Sequence, residues 1–435
     1  MSPTPQSKLA LRDQLRASMS SLDGVFPADQ YPNVPSAGQL RRARPHRISE
    51  QTRLMSLVDI DGILFWQEGS GHSLSGDGLR RSFRGKERRG EIIDRVRINQ
   101  LEPNKIGEYL EQLDQKLTPN QGMRVWDGKS LQPLNGPPVA AGRILLLVHG
   151  TFSKSDMYID ELSATAPGKT FLDQAKAKYN QILAFDHPTL AVSPFLNALD
   201  LSRKLDGTAA DIDVISHSRG GLVTRWWLEN FDRAGGKRRA VLVGSPLEGT
   251  SLASPPRIRS LLSWFTNLNQ VLASGASAGA TVLPFLTVVS GLLRLAAAVT
   301  NVASRVPLAD SALAMVPGLA GQSRVSNNFE LLRLNTTAPK TPEYFAIRSN
   351  FTTTDPGWKF WKYFADPGAR ALNAAADLLF GESNDLVVDT ASMTHCLNCD
   401  ADHLCDFADS TEVHHINYFR QAKTVEFLTK KLLGG

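Results

Sequence analysis

A repeated alternation of short apolar runs and helical patterns restricts the folds open to this chain of 435 residues. The first strong run, residues 144–148, contains only isoleucine, leucine and valine, as expected for a strand that is buried on both faces of a parallel sheet. Similar short runs recur at residues 181–185, 213–215, 240–243 and 344–347. Helical patterns lie between them, as at residues 171–179 and 222–230. This alternation predicts an α/β fold with a mostly parallel, doubly wound sheet.

The segment at residues 211–223 has the pattern of a strand that runs into a sharp turn and then a helix. A serine in such a turn is held in a strained conformation that projects its hydroxyl above the sheet. Small residues are required two positions before it and two positions after it, because the strand and the helix approach each other closely there. Ser216 and Gly220 occupy those positions around Ser218. We therefore predict that Ser218 is a nucleophile.

A different serine matches the motif Gly-x-Ser-x-Gly letter for letter. It is Ser277, within residues 275–279. No buried-strand pattern precedes it and no amphipathic helix with a polar face follows it, so we interpret this segment as flexible small-residue sequence. Ser251 is a near-match that follows a strand run rather than standing at a strand-to-helix turn. The setting of each serine, rather than its motif letters, favours Ser218.

A nucleophilic serine needs a base, an orienting carboxylate and hydrogen-bond donors for the oxyanion. In an α/β enzyme of this type the oxyanion loop comes first along the chain, followed by the serine, the acid and the histidine. Gly150 directly follows the first strong run and lets the backbone turn, so that the amide of Thr151 can point at the developing charge. The second predicted donor is the amide of Arg219, at the N-terminus of the next helix, where the helix dipole also favours an anion.

The acid and the base are expected after the serine. For the acid we favour Asp385, which stands in a loop before another apolar stretch. The carboxylates that are weaker candidates, because they suit solvated loop or helix positions, are Asp377, Glu382 and Asp389. Two adjacent histidines compete for the role of base. We favour His415 over His414, because the residues after His415 have the pattern of a loop that enters the last amphipathic helix.

Four segments together resemble motifs of serine esterases and lipases of the α/β-hydrolase superfamily, and of small bacterial lipases in particular. They are the oxyanion, nucleophile, acid and histidine segments at residues 147–151, 216–221, 384–388 and 415–419. Residues 243–253 are similar to the segment after the next strand in lipases related to the GPI-inositol deacylase group. The resemblance covers residues 142–433 apart from one insertion. It implies an α/β-hydrolase fold and hydrolysis of carboxylic esters through a Ser-His-Asp triad and an acyl-enzyme.

Other functions share parts of this pattern and stay open. A phospholipase or toxin-like membrane lipase has the same triad, as does a thioesterase or an amidase. A non-catalytic binding module with a hydrolase-like fold would use the N-terminal region and the insertion to recruit a partner, but an intact set of serine, acid and histidine argues against it. Ester hydrolysis by this route requires no metal or organic cofactor, so we expect none.

The insertion, residues 255–319, is the most apolar part of the chain, and Arg294 is the only charged residue between positions 271 and 303. Proline, glycine and polar residues interrupt it, which disfavours a membrane-spanning helix. Buried or lid helices and interfacial membrane contact are the alternatives, and the resemblance implies a lid or cap over an acyl-chain pocket. We predict a flexible basic leader, an N-terminal accessory segment, a hydrolase core and the helical lid at residues 1–50, 51–140, 141–254 with 320–435, and 255–319.

A group of metal-ligating residue types stands between the predicted acid and base. Its members are Cys396, Cys399, His403 and Cys405. They could form a zinc site with three cysteines and one histidine, although structural zinc sites usually use two separated pairs of ligands. One local disulfide and reduced structural thiols are the alternatives. In each case the cluster would brace the loop that carries His415.

Charge and composition set the expected partners. A net charge of +5 is mild for this length, so we expect no nucleic acid partner. The first 23 residues lack the apolar run of a secretory signal peptide, which favours a cytoplasmic location or export by a route that needs no cleaved signal. We expect a small-molecule or lipid ester as substrate, with peripheral membrane contact through the lid.

Overall fold

The computed structural model describes residues 5–20, 25–27, 52–69, 90–99, 101–233, 235–253, 258–274, 287–294, 316–324, 328–336, 342–353, 360, 383–395, 397 and 399–434. The chain divides into two units. The smaller unit comprises Met1–Glu108, Pro255–Ala312 and Asp355–Gly381, and the larger comprises Tyr109–Ser254, Leu313–Thr354 and Glu382–Gly435. Ser277 and the weaker acid candidates Asp377 and Glu382 lie outside the described residues.

Strands and helices are numbered in chain order. The strands are β1 (Val25–Pro27), β2 (Thr52–Ile60), β3 (Ile63–Gly69), β4 (Glu91–Asn99), β5 (Gly122–Trp126), β6 (Leu131–Pro133), β7 (Arg143–Val148), β8 (Gln181–Asp186), β9 (Asp211–His217), β10 (Arg238–Val243), β11 (Glu343–Phe351) and β12 (Leu404–Ser410). The helices are α1 (Pro5–Ser20), α2 (Ile106–Leu117), α3 (Asp156–Ser163), α4 (Ala166–Lys178), α5 (Pro194–Lys204), α6 (Gly220–Trp226), α7 (Ile258–Ser274), α8 (Pro317–Ala320), α9 (Phe329–Thr336) and α10 (Ala422–Leu428).

The smaller unit contains an antiparallel sheet with the strand order β1-β4-β2-β3. Asp61 and Gly62 connect β2 to β3 with positive φ angles of 55° and 85°, as a two-residue type I′ hairpin turn requires. Helix α1 contacts this sheet through the ion pair of Arg16 with Asp94 on β4, at 2.7 Å.

Helix α1 lies where the sequence predicted a flexible, extended leader. Leu11, Leu15 and Met19 are spaced by four residues and are buried, so they form one apolar stripe. These three buried positions among sixteen residues are enough for the helix to pack, but the exposed Leu9 and the polar residues around them conceal the period.

The first helix of the apolar insertion, α7, covers the free edge of strand β3. The backbone amide and carbonyl of Leu64 bond to the side-chain amide of Asn267 at 2.9 and 2.7 Å. The amide of Trp66 donates to Ser263 Oγ at 3.0 Å. An unpaired strand edge is a liability, and here helix side chains satisfy it. The polar residues of α7 therefore have a structural reason within the smaller unit, and the lid role of the insertion stays a prediction.

The larger unit contains a sheet whose described strands have the order β12-β11-β10-β9-β7-β8-β5-β6. Strands β7 to β12 are paired in parallel, whereas β5 and β6 join antiparallel at one edge. The five runs predicted as strands correspond to β7, β8, β9, β10 and β11 and are confirmed. Strands β5 and β6 lie within the range predicted as an accessory segment, so the sheet begins earlier in the chain than the sequence indicated.

Both faces of this sheet are buried, as strand β7 illustrates. Leu145 and Leu147 pack in one apolar core with residues of α3, α4 and α10. Ile144, Leu146 and Val148 point to the opposite face and pack with residues of α5 and α6. A mostly parallel sheet with helices on both faces and a tight strand-to-helix turn after β9 is the α/β-hydrolase fold, and the larger unit has this fold.

The sequence left membrane contact open for the apolar insertion. In the part of the chain that the structure describes, no helix is both long enough and apolar enough to cross a bilayer.

Candidate active site

Ser218 occupies the turn between strand β9 and helix α6. Its φ angle is +55°, in the left-handed region that a non-glycine residue rarely adopts. Its amide donates to the carbonyl of Val243 at 2.9 Å, and its carbonyl accepts from the amide of Gly221 at 2.9 Å. These two hydrogen bonds tie the strained turn to the end of strand β10 and to the first residues of helix α6.

Two glycines allow the close approach that this turn requires. A Cβ atom at Gly220 would lie 2.2 Å from the carbonyl oxygen of Val148, so helix α6 and strand β7 can meet only without a side chain there. A Cβ atom at Gly150 would lie 2.7 Å from Cβ of Ser218. The predicted oxyanion loop therefore lies directly against the serine. Ser216, at the position where the motif has its first glycine, is fully buried.

The carboxylate of Asp385 is fully buried and accepts hydrogen bonds on both oxygens. The amides of Val387 and Val388 donate to Oδ1 at 3.2 and 2.9 Å. Nδ1 of His415 and the hydroxyl of Tyr418 both lie 2.9 Å from Oδ2. A carboxylate in this environment is oriented from four directions.

The contact with Asp385 selects the tautomer of His415. A carboxylate oxygen only accepts, so Nδ1 of His415 carries the hydrogen and Nε2 keeps a free lone pair. The amide of His415 also donates to the carbonyl of Asp385 at 2.9 Å. Burial raises the pKa of Tyr418 well above its ordinary value, so its hydroxyl stays a donor to Asp385.

Gly244 connects the serine to the acid and the base. It directly follows Val243, whose carbonyl binds the amide of Ser218. A Cβ atom at Gly244 would lie 3.1 Å from Asp385 Oδ2 and 3.3 Å from His415 Nδ1. The structure therefore brings Ser218, Asp385 and His415 together around the end of strand β10.

The alternative candidates lie in other environments. The side-chain amide nitrogen Nδ2 of Asn417 contacts His414 Nε2 at 3.2 Å, and the His414 ring packs edge-on against Phe351. Burial lowers the pKa of His414 to about 4. Asp389 pairs with Arg324 at 2.9 Å.

A histidine that received no role from the sequence holds the predicted base. His217 is buried, and its Nε2 lies 2.7 Å from the carbonyl oxygen of His415, to which it donates. Burial lowers the pKa of His217 to about 3, so the ring stays neutral. A polar ring inside the apolar strand pattern of β9, next to the serine, is the sequence signal that could have identified it.

Another buried histidine, His149, stands at the start of the predicted oxyanion loop and fixes its backbone by a hydrogen bond. The amide of His187 donates to Nε2 of His149 at 3.1 Å, so Nδ1 carries the hydrogen and donates to the carbonyl of Gly150 at 2.8 Å. Burial lowers the pKa of His149. The guanidinium of Arg219 is also buried and donates to the carbonyl of Val192 at 2.6 Å, and burial lowers its pKa to about 10.

The cysteine cluster is described only in part. Cys396 lies outside the described residues, and Cys399 and Cys405 are not paired with each other. Burial raises the pKa of each of these two thiols to about 11. Within the described ranges, no group of three potential ligand side chains is placed to hold a metal ion. The alternatives of zinc, a disulfide or reduced thiols therefore stay predictions.

The chain is similar to solved structures of bacterial lipases and a carboxylesterase. Among solved structures, the chain is similar to the mature lipase BlEst2 of Bacillus licheniformis, with 16% identity, a TM-score of 0.36, and 68% of this chain and 94% of that chain covered. It is similar to lipase 1 of Pelosinus fermentans, with 15% identity, a TM-score of 0.40, and 67% and 98% covered. Carboxylesterase CesB of Bacillus subtilis gives 11% identity, a TM-score of 0.31, and 77% and 99% covered.

Identities and TM-scores at this level carry no argument about activity. No curated protein matches the chain. A family model described as a domain of unknown function, DUF7379, matches residues 115–433. That match spans well over half of the sequence and includes every residue of the candidate site, and so this chain belongs to the DUF7379 family.

Proposed function

We propose that this protein is a serine hydrolase that cleaves carboxylic esters through an acyl-enzyme on Ser218. One observation carries the proposal: Ser218 has a φ angle of +55° in a strand-to-helix turn, beside a buried pair of Asp385 and His415. Strain at a serine in this position is the mark of a nucleophile that must project above the sheet.

Acylation begins when His415 Nε2 takes the proton of Ser218 as Oγ attacks the ester carbonyl. The imidazolium that forms keeps its hydrogen bond from Nδ1 to Asp385 Oδ2, at 2.9 Å, and the carboxylate stabilises its positive charge. The amides of Thr151 and Arg219 donate to the oxyanion of the tetrahedral intermediate.

The intermediate then breaks down. His415 gives its proton to the leaving alcohol, and the acyl group stays on Ser218. A water molecule, deprotonated by His415, attacks the acyl-enzyme, and collapse of the second tetrahedral intermediate releases the acid and restores the serine.

The proposed substrates are lipidic esters. The support is the apolar composition of residues 255–319, which suits a cap over an acyl chain and peripheral contact with a lipid surface. Esters with long acyl chains, presented in micelles or vesicles, are therefore expected to be cleaved faster than short soluble esters.

Kinetics on a substrate panel test the proposal. The panel contains p-nitrophenyl esters of increasing chain length, a phospholipid, an acyl thioester and an acyl amide. We expect ester cleavage by the wild-type protein and by Ser277→Ala, and none by Ser218→Ala. Preference for the thioester, the amide or the phospholipid would replace the proposed substrate class. A folded protein inactive on the whole panel would favour the non-catalytic binding module.

A further inference from the structure

A glutamine that the sequence did not single out lies against the predicted oxyanion loop. Gln322 follows helix α8 and is 4% exposed. Its Nε2 donates to Thr151 Oγ1 at 2.8 Å and to the carbonyl of Gly318 at 3.1 Å. Thr151 Oγ1 also lies 3.1 Å from Gln322 Oε1, so the hydroxyl can return a hydrogen bond to the same amide. Gln322 thus holds the side chain of the residue whose amide is a proposed oxyanion donor.

The backbone around Gln322 reaches the acid loop through Thr250. The amide of Thr250 donates to the carbonyl of Gln322 at 2.9 Å, and the carbonyl of Thr250 accepts from the amide of Arg324 at 3.2 Å. Thr250 Oγ1 donates to the carbonyl of Val387 at 2.6 Å. The amide of Val387 in turn donates to the carboxylate of Asp385. One short segment therefore contacts both the oxyanion loop and, through one residue, the acid loop.

A salt bridge gives the same segment a second contact with the acid loop. Nη1 of Arg324 lies 2.9 Å from Oδ2 of Asp389, whose side chain is 2% exposed. Nη2 pairs with Glu248 at 2.9 Å, where the carboxylate is 39% exposed. Exposed pairs contribute little, so the bond to the buried Asp389 is the one that fixes the segment.

The oxyanion loop needs support of this kind. Phe152, the residue after Thr151, has a φ angle of +57°, and such strain persists only where the surroundings hold it. The amide of Phe152 donates to Thr189 Oγ1 at 3.3 Å, which is a long hydrogen bond. The side-chain amide of Gln322 supplies a shorter hydrogen bond, at 2.8 Å, to the neighbouring residue Thr151.

We propose that Gln322 is a positioning residue, which fixes Thr151 so that its amide points at the oxyanion formed on attack by Ser218. This inference rests on the proposed function. Gln322 acts through Thr151, not on the substrate. Its loss weakens binding of the transition state and leaves ground-state binding and the base unchanged.

A double-mutant cycle tests this role. Gln322→Leu has a roughly similar volume and removes the side-chain amide, Thr151→Val removes the hydroxyl, and Thr151→Ser keeps the hydroxyl and should be faster than Thr151→Val. Because a misplaced donor gives up part of the transition-state stabilisation, kcat is expected to fall about 10-fold in each of the first two variants, with KM nearly unchanged. The double variant is expected to fall no further, because both changes break one interaction.

Two more readouts separate positioning from a structural role. The affinity for a trifluoromethyl ketone, which forms a tetrahedral oxyanion adduct with a serine, should fall by the same factor as kcat. The pH profile of kcat should not move, because His415 is untouched. Additive effects, a rise in KM alone, or a Thr151→Ser variant as slow as Thr151→Val would overturn the inference in an active enzyme. A wild-type protein inactive on every ester would overturn the proposed function and this inference with it.

Discussion

His217 Nε2 lies 2.7 Å from the carbonyl oxygen of His415, so the residue before the proposed nucleophile holds the residue proposed as the base. The two rings also contact each other, with centroids 4.7 Å apart. This hydrogen bond joins the serine turn to the histidine loop, and its two residues are 198 positions apart in the chain.

His217 is therefore expected to affect the rate without being a proton carrier. In His217→Leu the carbonyl of His415 loses its donor and the loop shifts, so kcat should fall about 10-fold. His217→Gln keeps an amide N–H at a similar reach and should retain most of the activity. Steady-state kinetics on one ester compare the two. Equal losses in both variants would mean that the hydrogen bond has no part in the effect.

Protein stability should fall in acid because burial lowers the pKa of four histidines, His149, His187, His217 and His414. The pKa is about 3 for His217 and about 4 for His414, below the ordinary value of 6.5. At pH values between its folded-state pKa and 6.5, each histidine is protonated in the unfolded chain but neutral in the folded protein. Their contribution to stability is therefore complete above pH 6.5 and is lost as the pH falls. Each histidine should remove about 1.4 kcal/mol of unfolding free energy per pH unit.

Urea unfolding at pH 7, 6 and 5 measures this dependence. Carboxylates also titrate in this range, so the comparison of wild type with His217→Gln isolates one histidine. The variant should show a slope that is smaller by one such contribution. The same slope in both proteins would contradict the neutral, buried state of His217.

Gly150→Ala should inactivate the protein while leaving it folded. The new methyl group would lie 2.7 Å from Cβ of Ser218 and must push the serine or the oxyanion loop aside. Displacing the serine or the oxyanion loop in this way should lower kcat about 100-fold. Gly107→Ala is the matched control, because nothing lies within 4 Å of a Cβ atom at that helix position. It should keep full activity and gain about 0.5–1 kcal/mol of stability.

Tyr418→Phe removes one of the two donors to Asp385 Oδ2, at 2.9 Å. A hydrogen bond to a charged group contributes about 1.5–3 kcal/mol, so we expect about a 10-fold lower kcat together with lower stability. Tyr344→Phe removes a similar bond, from the hydroxyl to Glu229 at 3.0 Å, near the start of strand β11, where Tyr344 pairs with Ala240 rather than with the end of β10 that adjoins the site. Thermal unfolding and kinetics of both variants should show lost stability in each but lost activity only in Tyr418→Phe.

Local patterns predicted the parallel strands β7 to β11, because strands buried on both faces are continuous apolar runs. They missed the parallel strand β12, whose residues are mostly only partly buried or exposed. They also missed strand β5, whose Arg124 is buried and charged. Arg124 Nη1 lies 2.6 Å from Asp156 and 2.8 Å from Asp186, and these partners stand 32 and 62 positions away. Pairing over such distances leaves no trace in a short window of sequence.

The same reason explains what was found and missed in the candidate site. Ser218 was predicted from a strand-to-helix turn, Asp385 from a loop before an apolar stretch, and His415 from a loop that enters the last helix, all in a required chain order. Gln322 lacks such a setting, since only its partner Thr151, 171 positions away, gives it a role. The choice between His414 and His415 likewise depended on which ring faces Asp385, and adjacent residues cannot show that in sequence.

The most direct test of Ser218 as the nucleophile is the covalent site of a fluorophosphonate probe, mapped by mass spectrometry of the labelled, digested protein. We expect one phosphonate adduct, on the peptide that contains Ser218, in wild type and in Ser277→Ala, and no adduct in Ser218→Ala. A well-folded wild-type protein that stays unlabelled, or an adduct on any other serine, would contradict the assignment of Ser218 as the nucleophile.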